Sequence, residues 1–192
     1  LNALSGIWAI PLVLAMRLLR PIRLIQICGI LSSRIGHFVA DSAEQKVRAT
    51  NRNPNISTLF FLQGTVANVQ WETMVRRTLP NLRGNWLSYV FNWNRKIPGG
   101  RIHTLESSQS KSRDVGGHFQ KYDCSFPFTT YENDSCKKWL ESKGWHEGEP
   151  FITLLVRDSA YLENFKPSHN WDYHKYRDSN IESYVPAINW LT

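Results

Sequence analysis

Carboxylates are scarce in the first part of this chain. Residues 1–113 carry 4 Asp/Glu against 15 Lys/Arg, a net +11, whereas residues 114–192 carry 12 against 8, a net −4. Cysteine is scarce too. Cys28, Cys124 and Cys136 are odd in number, far apart and without CxxC spacing, which opposes a disulfide scaffold or a zinc site and fits a reducing compartment. There is no GxGxxG and no P-loop lysine, so nothing marks a dinucleotide or ATP site. No apolar run reaches the ~20 residues that cross a bilayer. The uncharged opening, Leu1 to Met16, is shorter and contains Pro11. No internal repeat is found. What remains is a 192-residue chain with 42% hydrophobic and 12% aromatic residues, enough for a substantial core and too apolar for disorder.

The pattern along the chain predicts an α/β protein with a parallel sheet. "PIRLIQIC", Pro21 to Cys28, reads as a strand, followed by a helix over Ile35–Arg48. "STLFFLQG", Ser57 to Gly64, reads as a second buried strand. "NVQWETMVRRTLP" has an Asn cap, helical spacing and a terminal proline. "NWLSYVFNWNRKI" predicts another helix. Residues 101–130 read as a polar linker or active-site loop, and Tyr131–Trp145 as a further helix. The apolar run Phe151 to Val156 reads as a strand buried on both faces, with a helix after it. The charge break supports three segments: an apolar N-terminal helix over 1–20, a Rossmann-like lobe over 21–113, and a linker with the start of a second α/β lobe over 114–192. The chain opens on Leu1 and reaches Thr192 inside a helical pattern, so a piece of a longer protein is expected.

Ligands of open parallel sheets bind beyond the carboxyl ends of the strands, and two segments fall there. "SSRIGHF" places Arg34, Gly36 and His37 at a strand-to-helix turn. Backbone N–H groups attract anions there, glycine permits close approach, and a histidine suits proton transfer at neutral pH. The plain alternative is a histidine that caps or packs. "RDSAY" follows the Phe151–Val156 run. Arg157 could fork onto a phosphate or carboxylate, Asp158 could orient it or accept from a sugar hydroxyl, and Tyr161 could stack on a ring. The alternative there is an internal Arg–Asp pair capping the next element. Further on, His169, Trp171, Asp172, Tyr173, His174, Tyr176, Arg177 and Asp178 crowd one stretch. Their spacing matches no metal site, and aromatics alternating with hydrogen-bonding groups suit a sugar or nucleoside.

Together "RPIRLIQICGILSSRIGHFVAD", "PFITLLVRDSAYLENF" and "YHKYRDSNIESYVPAINWLT" resemble a group of bacterial glycosyltransferases found with surface-polysaccharide genes. The resemblance covers both ends of the chain, and its most specific element is RDSAY followed by the YRDS segment. It implies a two-lobed, GT-B-like enzyme, continuing beyond Thr192, that moves sugar from a nucleotide-sugar donor to a glycan or lipid-linked acceptor. By motif position, Arg34, Gly36 and His37 would line the cleft from the acceptor lobe. Arg157, Asp158 and Tyr161 would face it from the donor lobe, beside Tyr176, Arg177 and Asp178. Leu155 and Val156 depart from the polar residues, often His, that the pattern has before the arginine.

Sugar transfer needs positive groups for the departing diphosphate and a base for the acceptor hydroxyl. Arg157 or Arg177 suits the first role, without an obligatory metal or other cofactor, and His37 or Asp158 the second. The expected location is cytoplasmic, at the inner face of the membrane if residues 1–23 lie on it, with Arg17, Arg20 and Arg23 at the headgroups. Two other classes compete. A basic nucleic-acid-binding module is disfavoured, because its arginines are scattered rather than aligned on one face. A membrane-associated scaffold without catalysis is separated from the enzyme by donor binding.

Overall fold

The computed structural model describes residues 6–50, 53–79, 81–106, 114, 117–165 and 167–191. The chain divides into two compact units, Leu1–Asn133 and Asp134–Thr192.

The first unit is built on three parallel strands, β1 (Leu24–Leu31), β2 (Ile56–Gln63) and β3 (Thr104–Glu106), in the order β2-β1-β3. β1 is central and pairs along its whole length with β2, from Leu24↔Ile56 to Leu31↔Gln63. On its other side it takes β3 from Ile27↔Thr104 to Gly29↔Glu106. Side chains alternate between two cores, as the pleat requires. Cys28, Ile30, Phe60 and Leu62 join Phe38 of α2 (Ile35–Thr50) and Met74 and Val75 of α3 (Val69–Thr78). Ile27 and Phe61 face the other way, onto Ala9, Val13 and Met16 of α1 (Ala9–Leu18) and Leu87, Val90 and Phe91 of α4 (Leu87–Lys96). Helices therefore cover both faces, and continuous apolar runs in β1 and β2 follow from burial on both sides.

The expected strands and helices of this unit are present with shifted bounds. Asn68 caps α3 through its side chain, which accepts from Trp71 N at 2.7 Å. One strand was not expected. β3 lies in the stretch read as a linker and has three residues, too short for any periodicity. It is held by tertiary contacts: His103, 1% exposed, bonds Ile25 O through Nδ1 at 2.7 Å. Buried Asn94 donates to Gly100 O at 2.8 Å and to Thr104 Oγ1 at 3.0 Å.

The compact unit also runs past the expected 113/114 boundary. Phe126 enters the core against Trp71, their ring centroids 4.6 Å apart. Lys46 donates to Asp123 at 2.8 Å. A capping box opens α6 (Thr130–Glu141): Glu132 N donates to Thr129 Oγ1, and Thr129 N donates back to Glu132 at 2.7 Å. Glu132 also accepts from Arg77 at 2.8 Å and Gln70 at 2.7 Å, tying the first turn of α6 to α3. These bonds hold the Glu132 carboxyl well below its ordinary range, the Arg77 guanidinium being the largest cause. Lys46 does the same for Asp123.

Arg17 corrects the reading of the N-terminal arginines. It does not face outward at a headgroup position. It closes the C-terminal end of α4, donating to Asn94 O at 3.0 Å, Ile97 O at 2.9 Å and Pro98 O at 2.6 Å. Those carbonyls have no helical partner, and a cation also suits that end of the dipole. Gly100 is obligatory in the turn below, because a Cβ there would lie 1.9 Å from Asn94 O.

The second unit contains most of α6, then α7 (Ala160–Phe165), 3₁₀ turns at Asp172–Arg177 and Ile181–Tyr184, and α8 (Val185–Leu191). The strand expected at Phe151–Val156 is not formed, and Leu155 is 87% exposed. Among the described residues this unit has no strand and no buried residue. A doubly buried strand needs flanking strands to take its N–H and C=O groups and helices to cover its faces. These residues supply neither, so apolar composition alone does not make the element. The second α/β lobe expected here is therefore not seen as such.

Candidate functional site

The strand order places a reversal at β1. The chain leaves β1 towards β2 through α2, and returns to β1's other edge as β3. Beyond the carboxyl ends of β1 and β3 lies the switch point at which open α/β sheets form their ligand crevice. The turn Ser32–Arg34 stands there, and it is rigid. Ser32 is fully buried, its N donates to Gln63 O at 3.1 Å and its Oγ to the same oxygen at 2.9 Å. Its carbonyl accepts from Ala67 N at 2.9 Å. Gly64 follows in the left-handed region, φ +84°, beside Ser33.

This anchored turn feeds α2. Arg34 is exposed, and its carbonyl accepts from Phe38 N at 2.9 Å, closing the first helical turn. Gly36 is exposed, and a Cβ placed on it would meet nothing within 4 Å. Packing therefore does not demand glycine there. His37 is half-buried on the next position. Beside the turn, Gly29, Gln63, Phe91, Arg95 and Glu106 line a hollow of about 260 Å³. Sequence reasoning missed Gln63, Arg95 and Glu106, since only the pairing of β3 with β1 brings them together.

In the second unit the RDSAY and YRDS segments meet. Arg157 Nε lies 3.6 Å from Asp178 Oδ1, and Arg157 O accepts from Ser179 N at 2.9 Å. At 3.6 Å the side-chain contact is Coulombic and not a hydrogen bond, and Asp178 Oδ1 has no hydrogen-bond donor among the described residues. Asp158 does not pair with Arg157. Its Oδ1 accepts from Ala160 N at 3.1 Å at the start of α7, so of the Arg–Asp pair read as capping the next element the cap is present and the pair is not. Tyr161 stands half-exposed on α7, and Tyr176 is exposed. Arg177 Nε donates to Tyr176 Oη at 2.7 Å and stacks its guanidinium over that ring at 5.1 Å.

Between these segments Ser159, Glu163, His169, Trp171 and Asp172 line a hollow of about 220 Å³. The His169 ring lies 4.3 Å from Trp171, edge-on. Lys175 bonds Asp172 at 2.7 Å, which depresses the Asp172 carboxyl and raises the Lys175 ammonium. Among the described residues, no group of three His, Cys, Asp or Glu is placed to hold a metal ion. Arg34, Gly36 and His37 thus sit in the first unit, and Arg157, Asp158, Tyr161, Tyr176, Arg177 and Asp178 in the second.

The fold and these residues define an α/β protein with an open three-stranded parallel sheet and an anchored turn at its switch point. Comparison with family models, curated proteins and solved structures finds no match for the chain.

Proposed function

We propose that this chain is part of a glycosyltransferase that binds a nucleotide-sugar donor and passes its sugar to a glycan or lipid-linked acceptor. The meeting of RDSAY with YRDS, through Arg157, Asp178 and Ser179 and next to an aromatic-walled hollow, carries the reading. Those are the segments with the most specific resemblance, and their residue types suit a nucleoside diphosphate.

Asp178 lies beside the Nε edge of Arg157, and no acceptor among the described residues engages the Nη groups. Such a guanidinium presents two donors to a diphosphate whose charge grows as the glycosidic bond breaks. In the transfer the acceptor oxygen bonds to the anomeric carbon, and the bond to the donor phosphate oxygen breaks with its electron pair leaving on the diphosphate. The hydroxyl proton passes to a base, for which Asp158 is the candidate in the same unit as Arg157. One Asp158 oxygen is engaged at Ala160 N, which leaves the other for that role. The turn before α2 in the first unit carries exposed Arg34 and an uncrowded Gly36, in keeping with a Rossmann-like lobe.

Calorimetric titration of the purified chain with UDP, GDP and dTDP tests the reading. One of them binds, and Arg157→Ala weakens it roughly 10- to 100-fold, the worth of a charge-assisted contact. Failure of all three to bind, or an Arg157→Ala variant that binds as tightly as the parent, overturns it.

A further inference from the structure

The face of α1 turned away from the core has no charge on it. Its only ionic residue is Arg17, and that side chain is engaged at the end of α4. Ala9, Val13 and Met16 pack inward, yet Trp8, Leu12, Leu14, Leu18 and Leu19 are exposed, and Ile22 continues the face past the helix end. Leu18 and Ile22 are 82% and 80% exposed. A helix apolar all round is normally buried on every side, and a contiguous patch of this kind marks an interaction surface. No helix among the described residues is long and apolar enough to cross a membrane.

Charge selects the occupant. Exposed Arg20 and Arg23 border the patch and have no acidic partner among the described residues. The first 113 residues are strongly basic, as noted above. A second copy docking on the same face about a twofold axis would bring these arginines towards their own images. An anionic lipid surface instead takes the leucines into the acyl boundary, Trp8 at the interface, and the arginines at the headgroups.

We infer that α1 and the turn after it form a docking face for anionic membrane, with Trp8, Leu12, Leu14, Leu18, Leu19 and Ile22 as the inserted edge and Arg20 and Arg23 as its charged rim. The helix lies along the surface and does not traverse it. This inference is independent of the sugar-transfer reading, since neither Arg157 nor a nucleotide takes part.

Co-sedimentation of the full chain with phosphatidylcholine vesicles, with and without about one third phosphatidylglycerol, tests it. Binding to the anionic vesicles, weakened by salt, is expected. The variant Leu18→Glu with Ile22→Glu loses it, and unchanged far-UV circular dichroism shows that the fold survives at two well-exposed positions. Arg20→Gln with Arg23→Gln lowers anionic-vesicle affinity roughly 30-fold, about fivefold for each charge. No sedimentation with either vesicle overturns the inference, as does undiminished binding by the Leu18→Glu, Ile22→Glu variant. A chain that is dimeric in solution and becomes monomeric with those glutamates also overturns it, assigning the face to a second copy.

Discussion

The runs at Leu24–Leu31 and Phe151–Val156 have similar apolar character and different fates. The first is the centre of a sheet, with Ile27, Cys28 and Ile30 buried, a strand on each edge and helices on both faces. The second lies uncovered, with no ladder and with Phe151 set edge-on to Trp145, ring centroids 6.1 Å apart. Hydrophobic composition states a demand for burial. Whether that demand becomes a strand depends on neighbours that the run itself cannot supply.

Hydrogen exchange gives the largest contrast. Amides of Ile27 and Phe60 are expected to exchange through opening of the whole first unit, and those of residues 152–156 roughly 1,000-fold faster or more. Comparable protection in both runs would break the comparison. Substitutions sharpen it. Gly100→Ala, which sets a Cβ against Asn94 O, is expected to cost roughly 3 kcal/mol in thermal or urea unfolding. Leu155→Thr in the second unit should change stability by no more than about 0.5 kcal/mol. Arg17→Ala orphans the carbonyls at the end of α4 and should cost about 2 kcal/mol.

A smaller effect depends on pH. The Glu132 and Asp123 carboxyls are depressed in the folded chain, so the stability they contribute is complete above their ordinary values, near pH 4. It is lost as pH falls from there through the depressed folded values. Glu132→Gln should flatten that part of an acid-unfolding curve, and an unchanged curve would show that α6 is not held to α3 in solution. One expected change is a gain. Gly36→Ala fills open space in a helix and should stabilise by roughly 0.5–1 kcal/mol. If nucleoside diphosphate binding falls in the same variant, the glycine serves ligand approach and not packing.

Much of the first unit was legible because local and tertiary signals agree in it. Asn68 caps where an Asn cap was expected, and β1 and β2 are apolar because both of their faces are covered. β3 was illegible for the opposite reason. Thr104–Glu106 has no pattern of its own and is fixed by its pairing with β1, by the adjacent His103 bonding Ile25 O, and by Asn94 donating to Thr104 Oγ1. The candidate site divides likewise. Motif position singled out Arg34 and Arg157, but the partnership of Arg157 with Asp178 instead of its neighbour Asp158 spans α7 and a 3₁₀ turn. The hollow at Gln63, Arg95 and Glu106 exists only because β3 returns to β1.

Arg17 also has a mechanical consequence. By gripping three carbonyls at the end of α4, directly above the glycine turn that leads into β3, it makes the N-terminal helix a fixed strut and not a swinging tether. Any surface on which that strut rests therefore sets the tilt of the whole sheet. The height of the Ser32–Arg34 turn above that surface is then decided by the body of the protein, with no hinge in between.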